Sequence, residues 1–154
     1  MNITYTKATL DDILAMQTLV QPYVDEGTIL ARTDNEVANT IRSYIIAKDA
    51  EIIVGFAALY LYSTKLAEIR TLVVKPAYQS RGIGAHIVRT LLEEANALHV
   101  QEVLSLTFKA DFFKGLGFTE ISKEAIPDHK VWEDCIRCKL FPTCNEIALI
   151  KQLS

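Results

Sequence analysis

Apolar and polar positions follow two rhythms along this chain, one with a period of two and one with a period of three to four. Ile3, Tyr5 and Lys7 mark a short first strand. Thr9 with Asp12 three residues on is close to a capping box, and Leu10, Ile13, Leu14, Leu19 and Val20 follow at roughly helical spacing. A first helix ending near Tyr23 is predicted. Asp25-Glu26-Gly27 should break it, before a loop through Leu30-Ala31-Arg32-Thr33 and a short polar helix near Asn35 to Arg42. Tyr44 to Ala47, a turn at Lys48-Asp49 and Ile52 to Tyr62 read as a hairpin. Leu66 to Val74 reads as the adjacent strand, stopped at Lys75-Pro76 because proline lacks the ladder N–H. Ile83, Ile87, Val88, Leu91, Leu92, Ala95 and Leu98 then recur every three or four residues, predicting an amphipathic helix of about four turns. Val103 to Leu106 is a strand, Asp111 to Leu116 a short helix, Phe118 to Ile121 a strand, and Glu146 to Ile150 a closing strand. No repeat, low-complexity tract or linker intervenes. One mixed α/β domain over 1–154 is expected, with strands outnumbering helices.

Composition narrows the function classes. The chain has 154 residues, half of them apolar, which suits one globular domain with a substantial core. A net charge of −3 argues against a general nucleic-acid footprint. The first residues lack the charged and apolar segments of a secretory signal, and the longest apolar runs are too short to span a bilayer. Three cysteines, Cys135, Cys138 and Cys144, are an odd set for a secreted disulfide framework. A cytoplasmic protein that meets neither membrane nor nucleic acid is expected. With His129 the cysteines have the spacing of a small zinc site. Four ligands would require His129 to fold back across a segment holding Trp132, so three reduced thiols are the reading adopted and no metal is expected.

The candidate chemistry lies between the Leu66–Val74 strand and the helix beginning near Ile83. Gln79-Ser80-Arg81-Gly82-Ile83-Gly84 is a glycine-bearing turn leading into a helix, a geometry suited to a pyrophosphate. Glycine lets the backbone approach closely, the helix N-terminus offers unpaired N–H groups, and Arg81 adds charge. The turn is neither a Walker A loop nor a dinucleotide fingerprint, since the required glycine spacing and the Lys-Ser/Thr pair are missing.

In context, Leu72-Val73-Val74-Lys75-Pro76 followed by Tyr78-Gln79, Arg81-Gly82 and Gly84 resembles motif A of the GNAT superfamily of N-acetyltransferases. Ala110-Asp111-Phe112-Phe113-Lys114-Gly115-Leu116-Gly117-Phe118 looks like motif B of the same family. The resemblance implies an α/β (α+β) GNAT fold: a mixed, mostly antiparallel central sheet flanked by helices and splayed between its fourth and fifth strands. It implies acetyl-CoA as acetyl donor, with the pyrophosphate on the backbone amides from Arg81 through Gly82, Ile83 and Gly84 to Ala85, beside Gln79 and Ser80. Pantetheine would pair with Leu72, Val73 and Val74 and pass Phe112 and Phe113. The Val74 amide would polarise the thioester carbonyl, as an oxyanion-hole donor does.

An alkylammonium must lose a proton before it can attack, so a base is needed near the thioester. Glu68 is the candidate, six residues before Val74 and, by strand alternation, on the same face as Arg70, Leu72 and Val74. In several GNAT enzymes a glutamate at this position is the general base. Motif B often carries a tyrosine that protonates the leaving thiolate; here Phe113 stands there, and no other tyrosine is assigned that role. Leu30-Ala31-Arg32-Thr33, Leu106-Thr107 with Ala110-Asp111-Phe112-Phe113, and the stretch from Lys130 to Ala148 resemble the GNAT-only N-acetylglutamate synthases of arginine biosynthesis. L-Glutamate carries two carboxylates, which calls for cations, and Arg32, Arg70 and Lys109 are the candidates. Another small amine, a protein lysine, or a non-catalytic acetyl-CoA sensor are the alternative readings, and a homodimer is left open.

Overall fold

The structure, a computed structural model, describes residues 2–126 and 146–153. His129, Cys135, Cys138 and Cys144, whose spacing suits zinc but which are read as a histidine and three reduced thiols, lie outside the described residues, as does most of the C-terminal stretch that carried the synthase resemblance.

One seven-stranded sheet organises the chain. In sequence its strands are β1 (Ile3–Lys7), β2 (Tyr44–Asp49), β3 (Ile52–Leu61), β4 (Leu66–Val74), β5 (Glu102–Thr107), β6 (Thr119–Ile121) and β7 (Ile147–Gln152). In space they run β1-β2-β3-β4-β5-β7-β6. Among the described residues only β4 and β5 pair in parallel, and the other pairs are antiparallel. The helices are α1 (Ile13–Glu26), α2 (Asp34–Asn39), α3 (Ile83–Ala97) and α4 (Ala110–Lys114). The central strands are apolar on both faces because helices cover both. Ile83, Ile87, Val88 and Leu91 of α3 pack with Ala57, Leu59, Ala67 and Ile69 on one face, while Met16 and Val20 of α1 pack with Phe56, Ala58 and Val73 on the other.

Element ends differ from the expectation where a local device outweighs composition. α1 runs on through Asp25 and Glu26, and Gly27 ends it at φ 83°, its N–H bonding back to the Tyr23 carbonyl. Glycine takes this left-handed cap without a Cβ clash. The short polar helix is tighter than expected: Thr33 caps it, accepting from Glu36 N–H at 3.1 Å, and a one-turn 3-10 helix replaces its end. The hairpin turns at Ala50-Glu51 rather than Lys48-Asp49, since Asp49 faces Ile52 and Ala50 takes φ 54°.

Two features of β4 create the site. It pairs with β5 only from Leu66 to Glu68, so beyond Glu68 the two strands part and leave an open gap. It also carries a bulge. Phe56 faces Val73 but Ala58 faces Arg70, so β4 holds one residue more than β3 across this stretch, with Thr71 at φ 57°. The extra residue reverses the alternation. Ala67 and Ile69 face α3 before the bulge, yet Leu72 and Val74 face it afterwards, and Val73 faces α1. Glu68 and Arg70 are therefore on the α1 face, opposite Leu72 and Val74. The expectation of a shared face fails because strict period-two alternation does not survive a bulge.

Candidate active site

A cavity of about 660 Å³ occupies the gap between β4 and β5 and opens to both faces of the sheet. Through this gap the bulge's two faces meet in one space, so Glu68 and Val74 still line the same cavity.

The α3 side of the cavity presents backbone donors. Lys75 N–H bonds to the Val54 carbonyl at 2.7 Å, so Gly55 and Val74 form the next, non-hydrogen-bonded pair of the antiparallel ladder. In such a pair the N–H and C=O point away from the partner strand. The Val74 N–H therefore points from β3 into the gap, and the Leu72 N–H, two residues earlier, points the same way. The Val74 carbonyl also points outward and accepts from the Gln79 side-chain amide at 2.9 Å, which ties the glycine turn to the end of the strand. Tyr78 anchors the turn from behind: its hydroxyl donates to Asp49 at 2.7 Å, and that bond raises its pKa.

In the turn, Ser80 takes φ 63° and Gly82 φ 84°, and the first bond of the α3 ladder is His86 N–H to Gly82 carbonyl at 3.0 Å. The amides from Gly82 to Ala85 thus precede the ladder, four donors at a positive helix end. At Gly84 an added Cβ would stand 3.5 Å from the Phe112 ring and 3.6 Å from Val74 Cγ2, so glycine keeps the floor of the cavity low. These features fit a pyrophosphate followed by an extended pantetheine arm. Ser80, Gly82, Gly84, Ala85, Leu72, Val73, Phe112 and Phe113 all line the cavity. Ile83 does not; its side chain belongs to the core. Arg81 also stays off the lining, with its guanidinium 5.6 Å from the Tyr78 ring centre. Phe113 is buried against Phe112 and Phe118, an apolar packing role.

The α1 side carries the charge. Glu68 is only 6% exposed, and its Oε1 accepts from Tyr62 hydroxyl at 2.6 Å and from Arg70 Nε at 2.9 Å. Arg70 lies over the Tyr60 ring at 3.8 Å and also donates to the Tyr62 oxygen. Burial, reinforced by the Glu68 carboxylate, pushes the Tyr62 hydroxyl far above the usual phenol range. Arg32 and Lys109 line the same cavity from the loop after α1 and the N-terminus of α4. The structure brings Glu68, Arg70, Arg32 and Lys109 together around one space with the Val74 edge. Sequence reasoning missed Tyr62, which no motif marks, and Ser105, a cavity-lining β5 residue 1% exposed.

A sheet parted beside a bulged strand, facing a glycine turn at a helix start, is the arrangement of one acyl-transfer family. The acetyltransferase (GNAT) family model matches residues 10–118, and the chain belongs to that family. It is an acetyl-CoA-dependent N-acetyltransferase. An uncharacterized N-acetyltransferase of Chlorobaculum tepidum is 37% identical over 150 residues, which are 95% of this chain and 94% of that one. An amino-acid acetyltransferase of Mycobacterium tuberculosis is 35% identical over 118 residues, 75% of this chain and 67% of its own length. Among solved structures, a Mycobacterium tuberculosis protein in complex with CoA and NLQ superposes with a TM-score of 0.83 at 28% identity, over 98% of this chain and 99% of that one. The N-acetylglutamate synthase of Neisseria gonorrhoeae, complexed with coenzyme A and N-acetyl-glutamate, shares the fold with a TM-score of 0.86 at 22% identity; this chain spans 36% of it.

Proposed function

We propose that this enzyme acetylates the α-amino group of L-glutamate, as an N-acetylglutamate synthase serving arginine biosynthesis. One observation carries the reading: Glu68 and Arg70 sit side by side, 2.9 Å apart, in the wall of the cavity, with Arg32 on the same lining. An α-amino acid presents its ammonium and α-carboxylate as neighbours in the same way. The ammonium would meet Glu68, which takes its proton, and the α-carboxylate would meet Arg70. The γ-carboxylate would reach Arg32, with Lys109 adding positive charge. Val74 N–H would face the oxygen on which negative charge grows as the amine attacks the thioester, and the Gly82–Ala85 amides, with Gln79 and Ser80 beside them, would hold the donor's pyrophosphate. The thiolate, with a reference pKa near 8.5, can leave without full protonation, so the apolar Phe113 is no obstacle. The amino-acid acetyltransferase relative supports this substrate class.

The reading is tested by Arg32→Ala. A buried hydrogen bond to a charged group contributes about 1.5–3 kcal/mol, so the KM for glutamate should rise about ten-fold or more with acetyl-CoA affinity unaffected. Glutamine, lacking the γ-charge, should be the poorer substrate of the wild type, and the variant should narrow that difference. An Arg32→Ala enzyme with the wild-type KM for glutamate would remove the distal anchor from the account.

A further inference from the structure

Tyr62 touches both charged partners of the acceptor wall. It lies at the end of the β3 side of the β3–β4 hairpin, its N–H held by the Leu66 carbonyl at 2.9 Å. Its hydroxyl donates to Glu68 Oε1 at 2.6 Å and accepts from an Arg70 Nη2 N–H, while Arg70 Nε donates to the same Glu68 oxygen at 2.9 Å. The three groups close a ring. Both bonds to Glu68 land on Oε1, so among the described residues Oε2 receives none and is the oxygen left for an acceptor.

We propose that Tyr62 is a positioning residue for acetyl transfer, its hydroxyl locking the Glu68 carboxylate and the Arg70 guanidinium into one ring that presents Glu68 Oε2 to the incoming amine. The inference rests on the reading of Glu68 as general base. Two other roles for the phenol fit the structure less well. As the acid for the leaving thiolate it would need a labile proton, but burial and the adjacent carboxylate make that proton harder to lose. As mere packing it would need no hydroxyl, since the edge contact with Tyr60, ring centres 4.9 Å apart, is made by the ring. What the hydroxyl adds is geometry. A carboxylate with one partner can swing about χ3, whereas one gripped through the same oxygen by two donors that also bind each other cannot. Holding a base within hydrogen-bond reach of its proton is where such a grip acts on rate.

The test is a double-mutant cycle on CoA release by the full chain, with Tyr62→Phe, Glu68→Gln and the pair. Tyr62→Phe keeps the ring and its Tyr60 contact, so its melting temperature and its acetyl-CoA affinity by calorimetry should stay close to wild type. Its kcat should fall about ten-fold, the scale of one hydrogen bond to a charged group. The double variant should be no slower than Glu68→Gln alone within about two-fold, because a residue that acts through Glu68 has nothing left to position. Tyr62→Phe at wild-type kcat, on an enzyme that Glu68→Gln disables, overturns the positioning role and leaves the base in place. A deficit that multiplies with that of Glu68→Gln makes Tyr62 a structural residue and overturns it equally. Full turnover by Glu68→Gln overturns the base reading itself and this inference with it. Should Tyr62→Phe melt below the assay temperature, the same cycle is run at a temperature where that variant stays folded, and the same non-additivity with Glu68→Gln is expected there.

Discussion

Glu68 is the residue on which the proposed chemistry turns, and its surroundings say what its loss should do. It is one of two buried polar side chains among the described residues, and both its bonds come from side chains of the same wall. Glu68→Gln preserves the shape and removes the proton acceptor. Turnover at neutral pH should fall about 10²-fold or more, the scale of a positioned base, while acetyl-CoA affinity holds. The sign of the pH response follows from the amine. At high pH it sheds its proton unaided, so the variant's deficit should shrink as pH rises. A pH-rate series in which the deficit is constant would move Glu68 from proton transfer to structure. Candidate charged residues were legible in the sequence because cations and carboxylates are conspicuous in an apolar strand. Tyr62 was not, because one tyrosine among six carries no pattern and only the hairpin brings it to Glu68 and Arg70.

At the scale of elements, periodicity located every strand and helix described above, and local chemistry set their ends. Gly27 could have been recognised as a left-handed cap, and the stop at Lys75-Pro76 was read correctly. The bulge could not be read. It places Thr71, a β-branched residue, at φ 57°, a conformation its composition disfavours, and what holds it there is pairing with β3 and the parting of β5. One unseen residue inverted the predicted facing of Leu72 and Val74 relative to Glu68. The entry to α1 is the opposite case, visible as Thr9 and Asp12. Thr9 N–H donates to the Asp12 carboxylate at 2.8 Å, and Lys48 lies 3.4 Å from it. Burial pushes that carboxyl up, but the two Thr9 hydrogen bonds and Lys48 outweigh it and hold the pKa below its ordinary value. A depressed carboxyl stabilises the fold above its unfolded pKa of about 4, and the contribution is lost as pH falls through the lower folded value. Asp12→Ala should therefore cost about 1 kcal/mol and about 2–4 °C in Tm near neutrality, and the gap should close in melts below about pH 4. A gap independent of pH would mean that packing, not charge, holds this end.

For the whole molecule, the sheet is a scaffold split so that a donor can reach the acceptor wall through it. Backbone amides on the α3 side and charged side chains on the α1 side belong to different layers, and the β4–β5 gap is the passage between them. Acetyl-CoA seated in that gap would bridge β4, α3 and α4, so saturating donor should raise Tm: at a hundred-fold excess over Kd the gain is about 2.7 kcal/mol, or about 5–11 °C for a domain of this size. Gly84→Val should abolish most of that shift, since its Cγ atoms would extend beyond a Cβ already 3.5 Å from Phe112. An undiminished shift in that variant would contradict the placement of the donor. No helix among the described residues is long and apolar enough to cross a membrane. The central claim is the acceptor, and it is reached most directly by following CoA release from acetyl-CoA over a panel of L-glutamate, L-glutamine, L-aspartate, spermidine and a lysine peptide. The account predicts the highest kcat/KM for L-glutamate, with glutamine and aspartate well behind it and the polyamine and peptide near background. Preference for spermidine or the lysine peptide would contradict the glutamate assignment.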